Sequence, residues 1–148
     1  MRGYLLDTNV LSEIRKGPRR ARPEVYQWWL GMRDQQLFLS VMTIGEIRKG
    51  IDRLGTRDAS QSLILDRWLS EVKYAFRERL IEVPLSVAEH WGKLQAVRSL
   101  PEVDALLAAS ALKYDLTLVT RNEADFAGLG IRILNPFIAS WTQSDETP

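Results

Sequence analysis

The chain has 148 residues, of which 45% are hydrophobic and 26% charged, as expected for one globular domain of ordinary size. It has no cysteine and a single histidine, which excludes disulfides, thiolate metal sites, a cysteine nucleophile and zinc sites built on paired histidines. The 20 basic and 19 acidic residues leave a net charge of +1, which alone does not indicate a nucleic-acid partner, and an enzyme of this composition must rely mainly on carboxylates.

The first half of the chain alternates apolar runs with helical patterns. Residues 3–6 predict a short buried strand that stops at Asp7, and a helix begins near Thr8. Pro23 and Glu24 open a second helix, because proline is favoured at the first helical position. The other elements predicted in this half are a strand at residues 37–39 and helices over the apolar patterns of residues 44–54 and 65–76.

The second half continues the alternation. Residues 80–83 predict a third strand, closed by Pro84, and a helix follows from Ser86. The helix that begins at Pro101 is apolar over most of its surface, which predicts a deeply packed position. The last predicted elements are a strand at residues 117–119, a short helix at 122–126 and a strand at 131–134.

The whole chain predicts one α/β domain, covering residues 1–141, with a flexible polar tail at 142–148. Strands that alternate with helices form parallel sheets covered on both faces by helices. No apolar run reaches the roughly 20 residues of a membrane span, so we expect a cytoplasmic protein. Ligands of such sheets bind beyond the carboxyl ends of the strands. Asp7 and residues 120–122 both follow predicted strands at that edge.

Four acidic residues are candidates for a site there, and each has an ordinary structural alternative. Asp7 is equally suited to cap the helix that follows it. Glu46 can complete a capping box with Thr43 at the start of its own helix. Asp104 lies in the first helical turn, where a negative charge complements the helix dipole, yet it is the one charge on an apolar face. Asp125, taken alone, is an ordinary surface residue.

Taken together, the four carboxylates predict a metal site. Carboxylates held close together repel one another, and a divalent cation removes the conflict. Mg²⁺ binds through one or two carboxylates while keeping several waters, and it can activate a water and stabilise charge on phosphoryl oxygens. The sequence therefore favours metal-dependent phosphodiester hydrolysis.

Three segments in order resemble PIN-domain ribonucleases, specifically the VapC-type toxins of type II toxin–antitoxin systems. They are YLLDTNVLSEIRK at residues 4–16, LSVMTIGEIRKGI at 39–51 and VDALLAASALKYDLTLVTRNEADFAGLGIRILNPF at 103–137. The resemblance implies a three-layer α/β/α PIN-like fold, Mg²⁺ as cofactor with Mn²⁺ as a substitute, and RNA as substrate. It also implies a homodimer and an inhibiting VapB-type antitoxin.

The resemblance implies a role for each acidic residue. Asp7, Glu46 and Asp104 match the family's metal-binding and catalytic acids. The fourth acidic position is divided between Asn122, which stands where many relatives have aspartate, and Asp125. Because Asn122 carries no charge, we expect a second metal site to be weak or absent. The groups expected to orient the carboxylates are Thr8, Asn9 and Thr120.

The basic run and the tryptophans could serve binding. We expect four of the basic residues to strengthen RNA binding in a salt-dependent way; they are Arg15, Lys16, Arg19 and Arg20. Trp28, Trp29 and Trp68 could form an antitoxin groove or a dimer face, but their helical spacing favours core packing. An alternative for the whole protein is a PIN-like scaffold that binds RNA or a partner without cleaving, and Asn122 is the residue that keeps this alternative open.

Overall fold

A computed structural model describes residues 3–138, which fold around five short strands. The strands are β1 (Tyr4–Leu6), β2 (Leu37–Ser40), β3 (Leu80–Ile81), β4 (Thr117–Val119) and β5 (Ile133–Leu134). The α-helices of this part of the chain are α1 (Thr8–Arg15), α2 (Pro23–Leu30), α3 (Val41–Leu54), α4 (Ala59–Ala75), α5 (Leu85–Val97), α6 (Glu102–Tyr114) and α7 (Glu123–Phe126). The tail predicted at 142–148 lies outside the described residues.

All strand pairs are parallel, and the order across the sheet is β3-β2-β1-β4-β5. The chain therefore builds outward from β1 in one direction, then returns to place β4 on the other side of β1. Two buried hydrophobic clusters form the core. One contains Leu6 with residues of α1 to α4, and the other contains Leu5 with residues of α5, α6 and α7.

Adjacent strand residues point to opposite faces, so Leu5 and Leu6 belong to different clusters. Helices thus cover both faces of the sheet, and the predicted three-layer α/β/α fold is confirmed. No helix among the described residues combines the length and apolar character that crossing a membrane demands.

Two strands are shorter than the sequence predicts. β3 ends at Ile81 rather than at residue 83, because Ile81 pairs with Ser40, the last residue of β2, and no partner lies beyond it. β5 begins at Ile133 rather than at residue 131. Both are edge strands, which have a neighbour on one side only. The helix predicted from Ser86 begins one residue earlier, at Leu85.

The three tryptophans have different environments. Trp28 is buried in the core and meets the Tyr4 ring edge-on, with ring centroids 5.9 Å apart, so the core interpretation is right for this residue. Trp29 and Trp68 are only partly buried. Both line a surface cavity of about 290 Å³ between α1, α2 and α4. A role in a groove for a partner therefore stays a prediction for these two residues.

Candidate active site

Asp7 and Thr120 lie side by side at the carboxyl edge of the sheet. Leu6 pairs with Val119, and the next residue of each strand is Asp7 and Thr120 respectively. The backbone N–H of Asp7 donates to the Val119 carbonyl at 2.9 Å. The strand order reverses at this point, between β1 and β4, and ligand sites of open parallel sheets form at such a switch point.

The Asp7 side chain is 4% exposed and accepts three hydrogen bonds. One comes from the Thr8 backbone N–H at 2.7 Å, so the predicted helix cap is confirmed. The other two come from Asn9 Nδ2 at 3.2 Å and Thr120 Oγ1 at 2.7 Å, both to Oδ2. Burial raises the pKa of the Asp7 carboxyl despite these bonds, and the charge of Glu46 adds to the increase. Asp7 is thus both a helix cap and a member of an acidic cluster.

Glu46 is fastened to α1 by Thr8. The Thr8 hydroxyl donates to Glu46 Oε1 at 2.7 Å, across 38 positions of sequence. The capping-box alternative with Thr43 is wrong, because α3 begins at Val41 and its cap is Ser40, whose hydroxyl accepts from the Met42 N–H at 3.1 Å. Thr43 is instead buried inside the helix. The sequence signal for Ser40 is a serine directly between a strand and a helix, a position where serine is a favoured cap.

Asp104 lies in the first turn of α6, as predicted, and is half-buried. Burial raises the pKa of Asp104 to about 6, and the charges of other acidic residues contribute to the increase. Those residues are, in order of effect, Asp7, Glu46 and Asp125. Asp7 is the cap of α1, and the other acids lie in α3, α6 and α7, yet the charges of three of them reach Asp104. The structure therefore brings them into one neighbourhood.

Asn122 and Asp125 lie at the exposed margin of this neighbourhood. Both line an open depression of about 670 Å³, together with Arg121. Asn122 is the residue before α7, and its backbone N–H donates to Thr120 Oγ1 at 3.1 Å, while its side chain forms no cap bond. The expected fourth position is therefore occupied by two exposed side chains rather than by one buried acid.

Thr8, Asn9 and Thr120 contact the carboxylates that they were expected to orient. Asn9 bonds in both directions, because its Nδ2 donates to Asp7 and its Oδ1 accepts from the Arg121 backbone N–H at 3.3 Å. Thr120 is fully buried and joins Asp7 to the loop after β4. These bonds leave the side chains of the cluster few alternative positions.

The donor set suits a hard divalent cation. It consists of carboxylate, amide and hydroxyl oxygens, and the like charges around Asp104 are those that a cation would neutralise. Within residues 3–138, no three histidine, cysteine or acidic side chains stand close enough to hold an ion directly. Mg²⁺ does not need three, because it is commonly held by one or two carboxylates and completes its shell with water.

The basic run lies at the opposite end of α1 from Asp7. Arg15 closes that helix, and eight helical residues span about 12 Å. Lys16 pairs with Glu13 at 3.0 Å, and the Arg15 guanidinium lies 5.7 Å from the centre of the Trp68 ring. Arg19 and Arg20 are exposed in the following turn. The basic run therefore does not line the acidic cluster, and its contribution to RNA binding stays a prediction.

Comparisons with known proteins agree with this architecture. A family model described as PIN domain matches residues 4–130. The plasmid stability protein StbB of Pseudomonas syringae pv. tomato is 31% identical over 144 residues, covering 91% of this chain and 99% of that protein. VapC ribonuclease Y4jK of Sinorhizobium fredii is 29% identical over 141 residues, covering 90% and 96%. A solved toxin–antitoxin complex from Klebsiella pneumoniae matches with a TM-score of 0.66 at 28% identity, covering 90% of this chain and 98% of that one.

Proposed function

The chain belongs to the PIN-domain family, and we propose that it is a VapC-type endoribonuclease toxin that hydrolyses RNA phosphodiester bonds with a carboxylate-bound Mg²⁺ ion. The observation that carries the proposal is the placement of the buried Asp7 carboxylate at the switch point of the sheet, where Thr8 joins it to Glu46. The raised pKa of Asp104, to which both acids contribute, supports it. The relative named VapC ribonuclease supports the reaction class. Repulsion among these acids is the feature that binding of a divalent cation would relieve.

Asp7 would bind the metal directly, Glu46 and Asp104 would hold it directly or through water, and Mn²⁺ would serve in the same oxygen site. When bound, the cation supplies polarisation of a water molecule and of the phosphoryl oxygens. Asp125 adds negative charge at the margin, and Asn122 offers an amide oxygen there. With two exposed groups in this fourth position, one firmly held cation fits the site better than two.

The neighbouring residues keep the carboxylates in place for this chemistry. Thr120 and Asn9 both donate to Asp7 Oδ2, which leaves the direction of that carboxylate fixed. The Thr8 hydroxyl likewise donates to Glu46, and the Thr8 backbone N–H donates to Asp7. A single residue, Thr8, therefore sets the spacing between two of the acids. Such preorganisation avoids reorientation of the charged groups during the reaction.

The expected partners follow from the same family. The Klebsiella pneumoniae structure is a complex of a toxin with an antitoxin, which supports a VapB-type antitoxin as the inhibitor of this chain. A homodimer is part of the same proposal. The cavity lined by Trp29 and Trp68 is a candidate surface for either contact. A small open reading frame for a DNA-binding antitoxin beside the gene would support the pairing.

A second candidate function is a PIN-like scaffold that binds RNA or a partner without cleavage. The observation that favours it is the exposed, uncharged Asn122 at the position where many relatives carry an aspartate. The three better-positioned acids are intact, and for this reason we favour the active enzyme.

Purified protein, free of antitoxin, should cleave structured RNAs in Mg²⁺ or Mn²⁺. EDTA should abolish the cleavage, and Asp7→Asn should remove it, because the buried carboxylate is the best-held ligand of the site. Asp34→Asn, which changes an exposed aspartate outside the cluster, is the matched control and should cleave normally. RNA binding without cleavage in every metal tested would overturn the enzyme and leave the scaffold.

A further inference from the structure

Arg121 lies beside the candidate site but has no role in the proposed hydrolysis. It follows Thr120 and precedes Asn122, and its backbone is held on both sides. Its N–H donates to Asn9 Oδ1 at 3.3 Å, and its carbonyl accepts from Asn135 Nδ2 at 3.4 Å. Asn9 in turn donates to Asp7. The position of Arg121 relative to the acidic cluster is therefore fixed by a short chain of hydrogen bonds.

The Arg121 side chain stacks on the Phe137 ring and has free hydrogen-bond donors within the described residues. Its guanidinium carbon lies 4.7 Å from the centre of the Phe137 ring, and Phe137 is 8% exposed, so the ring is a firm base. Within residues 3–138 the Arg121 side chain donates no hydrogen bond and forms no ion pair. Stacking uses the flat face of a guanidinium and leaves its in-plane N–H donors available, in a fork that matches phosphate oxygens.

A second arginine, Arg22, lies near the same ring, but its donors are already hydrogen-bonded. The Arg22 guanidinium carbon lies 5.9 Å from the Phe137 centre, but its Nε donates to Glu24 at 2.8 Å and its Nη2 to the Phe137 carbonyl at 3.4 Å. Arg22 is thus already paired. Of the two, Arg121 is therefore the guanidinium whose donors are available to an anion within the described residues.

Arg121 also lines the depression that it shares with Asn122 and Asp125. It is the one cation among the described residues of that lining, whose other charged members are Glu123 and Asp125. A polyanion entering next to these acids needs a positive contact, and Arg121 supplies it beside the cluster rather than at the far end of α1.

We propose that Arg121 binds a backbone phosphate of the RNA strand adjoining the acidic cluster, with Phe137 as the base on which its guanidinium rests. The inference depends on the proposed ribonuclease function and adds a substrate-positioning residue to it. Because phosphates carry no base identity, the contact is independent of RNA sequence.

The test measures binding of short single-stranded RNA oligonucleotides of unrelated sequence, over a range of salt concentrations, in a Glu46→Gln background that prevents cleavage. This background leaves the Asn9 and Arg121 contacts in place, because Glu46 bonds to Thr8 instead. Arg121→Gln should weaken binding of every oligonucleotide and reduce the slope of log K against log salt by about 0.7, the value for one phosphate contact on a single strand. Arg121→Lys should retain the slope.

Arg77→Gln is the matched control. Arg77 is exposed and lies over the Tyr74 ring at 4.2 Å, but it precedes β3 and so stands at the other edge of the sheet. If Arg121→Gln melts lower than its parent, Arg121→Met takes its place, because methionine retains apolar packing on Phe137. Equal binding by the Arg121 and Arg77 variants, or a loss limited to one sequence, would overturn the proposal. A parent that binds no RNA at low salt would overturn the ribonuclease function itself.

Discussion

Asp7 shows that a carboxylate can cap a helix and still lie within a candidate site. The sequence predicted a choice between a helix cap and a ligand, yet one oxygen of this carboxylate caps α1 and the other accepts from Asn9 and Thr120. A short-range pattern could predict the cap, since it involves the next residue. The contact with Thr120 spans 113 positions and depends on the pairing of β1 with β4, which periodicity does not reveal.

Asp104→Asn should stabilise the metal-free protein at neutral pH. The pKa of Asp104 in the folded state, about 6, lies above the ordinary value of 3.8, so the folded state binds this proton more tightly than the unfolded state. Ionisation of Asp104 therefore lowers the free energy of unfolding as pH rises from about 4 to 6. Above pH 6 the loss stays constant. After allowance for solvent screening of a half-buried group, we expect a gain of about 1 kcal/mol, or roughly 3 °C in Tm.

Thermal melts in EDTA at pH 7.5 and 4.5 measure this effect, with Asp34→Asn as control. The higher Tm of Asp104→Asn relative to wild type should shrink toward pH 4. Added Mn²⁺ should reverse the difference in Tm, because the metal stabilises the wild type more. A variant that is less stable than wild type at pH 7.5 in EDTA would show that Asp104 is not held among like charges.

Thr120→Val should weaken both the fold and the metal site. The hydroxyl is fully buried and donates to Asp7, so its loss leaves a buried carboxylate short of one donor, at a cost of about 1–3 kcal/mol. Loss of such an orienting group typically lowers metal affinity about tenfold or more. Denaturant unfolding and Mn²⁺ titration measure the two effects, and Thr120→Ser should restore both. Unchanged Mn²⁺ affinity in the valine variant would exclude an orienting role.

For the strands and helices, the type of each element was predictable from the sequence, and its first and last residues were not. The sequence patterns predicted each strand and α-helix in the right order, but Ser40 rather than Thr43 caps α3, and β3 ends two residues early. Serine and threonine are both good caps, so the choice between Ser40 and Thr43 depends on where β2 stops pairing. The length of an edge strand likewise depends on its neighbour, which no local pattern contains.

Glu13→Ala should destabilise the junction between α1 and α2. Glu13 is 7% exposed, and its carboxylate accepts from the Arg22 backbone N–H at 2.9 Å and from Lys16 Nζ at 3.0 Å. Losing hydrogen bonds to a buried charge should cost about 2 kcal/mol in the free energy of unfolding, measured by urea titration. Glu89→Ala on the exposed face of α5 is the control and should change little. Equal effects of the two variants would contradict the role given to Glu13.

For the whole molecule, the fold class was predictable from the alternation of strands and helices, and so was the edge of the sheet where the candidate residues lie. The strand order was not, because β1 pairs with both β2 and β4, and local patterns do not reveal that the chain returns past β1. That order places β4 beside β1 and thereby brings Thr120 to Asp7. The effect of Asp7, Glu46 and Asp125 on the pKa of Asp104 is a consequence of the same long-range arrangement.

Replacing all four residues of the basic run by glutamine should lower RNA affinity at low salt and make that affinity less dependent on salt. The run comprises Arg15, Lys16, Arg19 and Arg20. It lies about 12 Å or more from Asp7 along α1, so it should add charge attraction without altering cleavage of bound RNA. Filter binding at several salt concentrations, with single-turnover cleavage as the second readout, separates the two effects. The same affinity as wild type at low salt would contradict the prediction.

We propose that Asp7, Glu46 and Asp104 share one divalent cation. Anomalous diffraction from crystals of the protein grown with Mn²⁺ tests it most directly. We expect one peak at about 2.1 Å from an Asp7 carboxylate oxygen, with Glu46 or Asp104 as a direct or water-mediated ligand. A Mn²⁺ peak held elsewhere on the molecule, or an Asp7 carboxylate without a bound ion at saturating Mn²⁺, would contradict the account.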